Sequence, residues 1–302
     1  MPRRLLLAAI LALSGCEYPN FDGEGQACDP RVSYCPGGIS IHVVDDYAEY
    51  GAPEHVLALG GTVELSVEEV EPHPGELSIE LDGADPVSQS DRGLVVRAAG
   101  PSVRIDAAVD IYRDYLVLEA RAVDRVELRP MEKQFLIAAD PVEFALARGA
   151  MVPTLIQLFG GDDRLIDGSL EATGPGVFQQ DRWDLVTLQA DSEPAAFAIA
   201  ADTTAVDVEI AVAGPEIDAI EAMSGPGLAD PAQPIQISPE GDATVCFQGV
   251  AGGLPLAGLA WSIAGEHLTA DDGCAFLDEY ATTLTVSVGG LTRTFELDIV
   301  LP

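Results

Sequence analysis

The sequence predicts an all-β protein built from tandem β-sandwich modules. Apolar and polar residues alternate along many short segments, and clusters rich in Gly, Pro and Asp separate those segments. Alternation with a period of two is typical of half-buried strands, and frequent turns between short strands are typical of sandwiches or barrels. A loosely repeated segment, VDRVEL at 123–128 and IDAIEA at 217–222, indicates that the sandwich recurs along the chain.

The chain opens with MPRRLLLAAILALSGC, which has the three-part layout of an export signal. Arg3 and Arg4 give a basic start, Leu5–Leu13 form an apolar core of nine residues, and small residues precede Cys16. Nine apolar residues make about 14 Å of helix, under half of a hydrocarbon layer of about 30 Å. The segment is therefore too short for an ordinary membrane span.

Leu13-Ser14-Gly15-Cys16 resembles the lipobox of bacterial lipoprotein signal peptides. The resemblance implies cleavage before Cys16, which would then carry a thioether-linked diacylglycerol and an amide-linked acyl chain. Each buried methylene contributes about 0.8 kcal/mol, so two or three acyl chains hold a soluble domain on a membrane. Residue 17 is Glu, not the Asp of the inner-membrane retention signal, which favours the outer membrane and leaves its face open. The alternatives are a cleaved secretory signal with an incidental cysteine, or a buried helix.

Cysteine counting supports export. Setting Cys16 aside leaves four cysteines, and an even set in an oxidising compartment predicts disulfides. Proximity favours a Cys28–Cys35 bond and a Cys246–Cys274 bond, since the other two pairings would cross the chain from end to end. A zinc site is the rival interpretation, but the chain has no CxxC motif and no histidine at clear ligand spacing.

The signal peptide is assigned to 1–15, and a lipidated cysteine with a flexible tether to 16–38. The tether is rich in Gly, Pro, Asp and Glu, lacks periodicity, and contains the small predicted disulfide loop. Three sandwich modules follow, which we name module 1 (39–122), module 2 (123–215) and module 3 (216–302). The repeated segment marks the first strand of modules 2 and 3, and ISIHVV at 39–44 marks that of module 1.

The modules resemble bacterial immunoglobulin-like domains of surface proteins. HVLALGGTVELSV (55–67) is similar to their early strand segment, and LIQLFGGDDRLIDGSLEATGPG (155–176) is similar to their polar hairpin. The resemblance implies a sandwich fold and transfers no functional residue. In module 3 the short spacing of Cys246 and Cys274 predicts a disulfide between neighbouring strands, or from strand to loop. Alternation along VCF predicts that one face of that strand is less buried.

The net charge of the chain limits the classes of molecule that it can bind. The chain has 50 acidic and 15 basic residues, a net charge of −35, and a single lysine, Lys133. Such a surface repels phosphate backbones, which excludes nucleic acid as a partner. It predicts a strongly solvated surface, with adaptation to high salt or collection of divalent cations as alternatives.

No catalytic motif stands out. The four histidines, His42, His55, His73 and His267, form no HExxH, and no serine lies in GxSxG. The most arguable ligand cluster is a weak calcium site at Asp162, Asp163 and Asp167, with the pair at 271–272 as a second. The competing interpretation is that these residues form turns. We therefore predict no cofactor, apart from this calcium candidate.

The sequence favours a membrane-anchored, non-enzymatic lipoprotein of the cell envelope. It would display its modules for adhesion, scaffolding or structural interaction, with the membrane as one partner and an unknown envelope protein as another. The alternative is a periplasmic ligand-binding or accessory subunit of an envelope complex. A hydrolase with an unrecognised site ranks last.

Overall fold

The computed structural model describes residues 39–44, 56–69, 76–90, 93–109, 112–138, 143–191, 194–201, 204–214, 216–224, 227–228, 233–237 and 243–299. These residues form strands almost throughout, which confirms the all-β prediction. No helix among them is long and apolar enough to span a membrane.

Module 1 is a sandwich of two facing sheets. Its strands are β1 Ile39–Val43, β2 Val56–Ala58, β3 Thr62–Glu69, β4 Ser78–Asp82, β5 Ala84–Gln89, β6 Gly93–Ala98, β7 Ser102–Val109 and β8 Tyr112–Arg121. One sheet has the order β1-β3-β6-β5, and the strands β2-β8-β7-β4 are adjacent in the other. The alternating residues Val63, Leu65 and Val67 of β3 are buried in the core between the sheets, as the pattern predicts.

Module 2 repeats this plan with two additions. Its elements are β9 Arg125–Pro130, α1 Lys133–Leu136, β10 Ala145–Ala147, β11 Met151–Gly160, β12 Asp163–Ile166, β13 Glu171–Thr173, β14 Val177–Arg182, β15 Leu185–Gln189, β16 Ala195–Ala201, β17 Thr204–Ile210 and β18 Val212–Ala213. Strands β9, β11, β15 and β14 pair in one sheet, and β13, β16 and β17 pair in the other. The short helix α1 and the hairpin strand β12 are the additions.

Module 3 has the same arrangement of strands. They are β19 Ala219–Ser224, β20 Gly227–Leu228, β21 Ile235–Ile237, β22 Ala243–Ala251, β23 Leu254–Ala257, β24 Ser262–Gly265, β25 Leu268–Asp271, β26 Cys274–Leu277, β27 Thr283–Val288 and β28 Leu291–Ile299. One sheet contains β19-β22-β26-β25 and the other β21-β28-β27-β24. The repeated sequence segments thus contain the beginning of the first strands, β9 and β19.

All three modules follow the constant-type immunoglobulin topology. In each, the first, second, fifth and fourth long strands form one sheet, and the third, sixth and seventh form the other. In each module a short strand pairs in parallel with the last strand of that module. These short strands are β2 on β8, β10 on β18 and β21 on β28.

Candidate functional site

Two places where neighbouring modules share a sheet are the most distinctive feature of this molecule. We name junction 1 the parallel pairing of β2 in module 1 with β12 in module 2. We name junction 2 the parallel pairing of β10 in module 2 with β23 in module 3. In register, Leu57 lies opposite Ile166 at junction 1, and Leu146 lies opposite Ala257 at junction 2. The same kind of contact, a parallel strand pairing between neighbouring modules, therefore occurs twice.

Each junction also exchanges side chains between two cores. Val56 and Ala58 of module 1 are buried in the core of module 2, and Ile166 of module 2 is buried in the core of module 1. At junction 2, Ala145 of module 2 belongs to the core of module 3. Ala257 of module 3 belongs in turn to the core of module 2. Separating two modules would therefore expose apolar surface on both sides, which opposes bending at the junction.

A buried carboxyl group of module 2 forms hydrogen bonds across junction 1. Asp167 is 0% exposed, and its Oδ1 accepts hydrogen bonds from the backbone N–H of Thr62 at 3.1 Å and of Ser169 at 2.8 Å. The hydroxyl of Ser169 donates to the same oxygen at 2.6 Å. In return, the N–H of Gly168 donates to the carbonyl of Thr62 at 2.7 Å. Residues 167 and 168 of module 2 thus bond both backbone groups of one residue in module 1.

A partly buried carboxyl group lies at junction 2. The N–H of Gly258 in module 3 donates to Oε1 of Glu132, which directly precedes α1, at 2.5 Å. The side-chain amide of Gln134 donates to Oε2 at 2.5 Å. Burial is the largest cause that raises the pKa of Glu132, and the charge of Asp272 raises it as well. The two hydrogen bonds lower it, and together these effects bring the pKa to about 7.

The only lysine of the chain lies beside this group. Lys133 Nζ donates to Oδ2 of Asp271 in module 3 at 2.6 Å, and it lies 4.7 Å from the centroid of the Phe276 ring. The Asp271 side chain is 70% exposed, so the ion pair itself contributes little to stability. The ion pair links α1 of module 2 to the end of β25 in module 3.

The structure does not gather the predicted calcium ligands into one site. Asp162 is exposed, Asp163 pairs with Arg121 of module 1, and Asp167 is enclosed at junction 1. No group of three or more His, Cys, Asp or Glu side chains that could hold a metal occurs among the described residues. Asp271 of the second cluster is the partner of Lys133. Three of these carboxylates, Asp163, Asp167 and Asp271, bond to the neighbouring module.

The described histidines lie at the surface. His42 is exposed and hydrogen-bonded to Ser40 at 2.9 Å, while His55 and His73 lie outside the described residues. His267 contacts Asp278 at 3.2 Å, with both side chains 50% exposed, and borders a shallow cavity of about 490 Å³.

A second cavity of about 480 Å³ is lined by three glutamates, at 127, 143 and 209, and by apolar side chains.

The disulfide of module 3 lies where the sequence predicts. Cys246 on β22 and Cys274 on β26 are bonded and directly opposite in register, with their Cα atoms 3.9 Å apart. The bond therefore joins neighbouring strands of one sheet. The prediction of a less buried face on β22 is wrong, because Val245, Cys246 and Phe247 are all buried. Helix α1 of module 2 packs against this strand. The residues of the other cysteine predictions, Cys16, Cys28 and Cys35, lie outside the described residues.

Comparisons with protein families and with curated proteins find no match. Among solved structures, domains 4–9 of the surface layer protein SbsC match at 11% identity and a TM-score of 0.30, over 87% of this chain and 47% of that one. Invasin, described as a bacterial integrin-binding protein, matches at 13% identity and a TM-score of 0.21, over 86% and 58%. The I9–I11 tandem of titin matches at 12% identity and a TM-score of 0.19, over 86% and 99%. The chain thus spans about half the length of the first two structures.

Proposed function

We propose that this chain is a lipoprotein of the bacterial envelope whose three immunoglobulin-like modules form a stiff arm for scaffolding or adhesion. The amino-terminal cysteine anchors the arm to a membrane, and the acidic tether separates the arm from the lipid. The modules hold a binding surface at a fixed distance and angle from the membrane. The outer membrane is the proposed location.

The repeated junction is the observation that supports an arm. Modules joined only by a linker move independently by default, unless a large apolar interface holds them. Here a strand of each module extends a sheet of the next, and buried side chains cross in both directions. Bending would break backbone hydrogen bonds and expose apolar surface together. A stiff arm is the behaviour that this construction supports.

The surface charge fits the same role. A net charge of −35 keeps such a protein apart from other acidic molecules and opposes aggregation. It favours partners that are neutral or basic. An anchored, well-solvated arm presents its modules to such partners without adhering to its own copies.

The anchor is tested by substituting the cysteine of the lipobox-like segment. In cells fed a labelled fatty acid, we expect Cys16→Ala to abolish lipid labelling and to move the protein from the membrane to the soluble fraction. Cys28→Ala is the matched control, because it also removes one amino-terminal cysteine, here from the predicted Cys28–Cys35 pair, and leaves Cys16 in place. Labelling that persists in Cys16→Ala would refute the proposed attachment.

A further inference from the structure

Each module has a seam, which we define as the gap between its first strand and its last long strand. The seams lie between β1 and β8 in module 1, between β9 and β17 in module 2, and between β19 and β28 in module 3. In module 1 the N–H of Ile41 on β1 donates to Oδ2 of Asp114 on β8 at 2.9 Å. In module 3, Nη1 of Arg293 on β28 donates to the carbonyl of Ile220 on β19 at 2.9 Å. A side chain of the last strand therefore closes the seam in modules 1 and 3.

The seam of module 2 is open. In the described part of the chain no hydrogen bond joins β9 to β17, since β9 pairs with β11 and β17 pairs with β16. Val126, Leu128 and Val208 at this seam are only partly buried, whereas the inward residues of β1 in module 1 are 5 to 7% exposed. The gap contains the cavity of about 480 Å³. This volume lies within the range of about 300 to 1,000 Å³ that is typical of ligand-binding clefts.

The open seam leaves one edge of β17 unpaired over the described residues. The carbonyl of Ala211, just after β17, accepts the N–H of Leu146 on β10 at 2.8 Å, on the side away from β16. Backbone groups of alternate residues point to the same side of a strand. Ala205, Asp207 and Glu209 therefore direct their N–H and C=O groups to the open edge. An edge of this kind can accept a further strand from another chain.

The two faces of β17 specify what such a strand would carry. The inward residues Val208 and Ile210 pack against the core of module 2 beside the cavity. The outward residues Asp207 and Glu209 are exposed. Since side chains directly opposite on neighbouring strands contact each other, a complementary strand has apolar residues inward and basic residues outward.

Carboxylates also border the mouth of the cavity. Glu127 is paired with Arg125 of its own strand, but Glu143 and Glu209 have no ion pair or side-chain hydrogen bond in the described part of the chain. This acidic edge repels a second copy of a chain whose net charge is −35. It attracts lysine and arginine, whose apolar stems can lie on the partly buried residues of the seam.

We propose that the open seam of module 2 binds an extended segment of a partner protein in which apolar and basic residues alternate. The segment pairs with β17 as an added strand. Its apolar side chains enter the cavity, and its cations lie opposite Asp207 and Glu209. The seam supplies the partner of the arm described above, so this inference rests on the proposed function.

Peptide binding to the soluble, full-length Cys16→Ala protein tests the seam. The probe is a capped peptide of alternating lysine and valine, seven residues long to match β17. At about 0.15 M salt, where charges are screened beyond about 8 Å, we expect saturable binding. The amides of Ala205, Asp207 and Glu209 should gain protection from hydrogen exchange, and those of β1 and β8 should not change. No binding, or binding without protection of these three amides, would refute the proposal.

Two control peptides separate strand pairing from charge. A peptide with proline in place of valine keeps the positive charge but disfavours strand pairing, so it should leave the three amides unprotected. A peptide of alternating glutamate and valine keeps the strand propensity and reverses the charge, so it should not bind. Equal binding and protection by either peptide would overturn the assignment. Dimerisation of the protein through β17, seen by sedimentation and hydrogen exchange, would show that a second copy occupies the edge and would also overturn it.

Paired substitutions test the outward carboxylates of β17. Asp207→Asn combined with Glu209→Gln should weaken binding of the lysine–valine peptide roughly 2- to 30-fold, because two partly exposed ion pairs are lost. The matched control is Asp191→Asn combined with Glu171→Gln, which removes the same two residue types from exposed positions elsewhere in module 2 and should keep the original affinity. Equal weakening in both variants would mean that only net charge matters, contrary to the proposal. Lipid labelling of Cys16 does not depend on the seam, so a failure here would leave the proposed anchor and arm intact.

Discussion

At the closest approach of each junction, one residue lacks a side chain. A Cβ atom on Gly61 would lie 2.8 Å from Cγ of Asp167 at junction 1, and one on Gly258 would lie 2.4 Å from Cβ of Ala150 at junction 2. The glycine belongs to the preceding module at junction 1 and to the following module at junction 2. In either arrangement the missing side chain leaves room for the facing residue of the other module. The two backbones can therefore come close enough to pair.

Gly258→Ala tests this close approach. Gly258 has a φ of +84°, and its new Cβ would also lie 2.8 Å from Val152 Cγ2. We expect a loss of about 1 to 2 kcal/mol from the backbone conformation and about 1 to 3 kcal/mol more from overpacking. The measurement is urea unfolding of the full-length protein.

The matched control is Gly253→Ala, because Gly253 has a φ of +87° and nothing within 4 Å of the new Cβ. It should show the backbone loss alone. Equal losses in the two variants would mean that junction 2 tolerates a side chain, contrary to the packing described above.

Among the elements, the long strands could be predicted from sequence and the short ones could not. Strand β3 displays clear alternation, and its inward residues are buried because one face meets the core and the other meets water. Strands β2 and β10 have three residues each, all buried. With both faces covered they show no alternation, so their sequences read as short apolar runs.

The candidate site was harder to predict than the fold. Pairing of β2 with β12 is parallel and joins residues distant in sequence, and no local pattern specifies it. Glu132 is one of 50 acidic residues, and only its surroundings in the folded chain distinguish it. The aspartates were singled out as metal ligands because turns and metal sites share a composition.

The short strand of module 3 differs from its counterparts. At positions facing the next module, β2 and β10 place buried apolar residues such as Val56 and Ala145, which are 3% and 2% exposed. Beside and within β21 the corresponding residues are Pro234 and Gln236, and both are exposed. Proline and polar side chains discourage edge pairing. This edge therefore does not offer the apolar contact on which junctions 1 and 2 depend.

The disulfide is expected to reinforce one sheet, not a junction. Replacing both Cys246 and Cys274 by Ala removes a link that closes a loop across 28 positions. Loop-closure entropy predicts a loss of roughly 3 to 4 kcal/mol in the free energy of unfolding of module 3. Urea unfolding under non-reducing conditions, followed by hydrogen exchange, should show the loss in β22 and β26. A loss shared equally by module 1 would contradict this local effect.

In the molecule as a whole, the two junctions join the three modules through continuous sheets. Their strands continue from one module into the next, so the nine-stranded sheet spans modules 1 and 2, and the eight-stranded sheet spans modules 2 and 3. Repulsion among acidic side chains opposes compaction, and the buried apolar contacts oppose separation. The stiffness of the arm then depends on both junctions.

Backbone ¹⁵N relaxation is the most direct test of this arm. Measured on the soluble Cys16→Ala protein, strands of all three modules should report one common tumbling tensor, that of a single rigid body. Gly258→Ala serves as the control and should release module 3 to tumble faster than modules 1 and 2. Three separate, shorter correlation times in the Cys16→Ala protein would show that the modules move independently, and would contradict the account of the junctions.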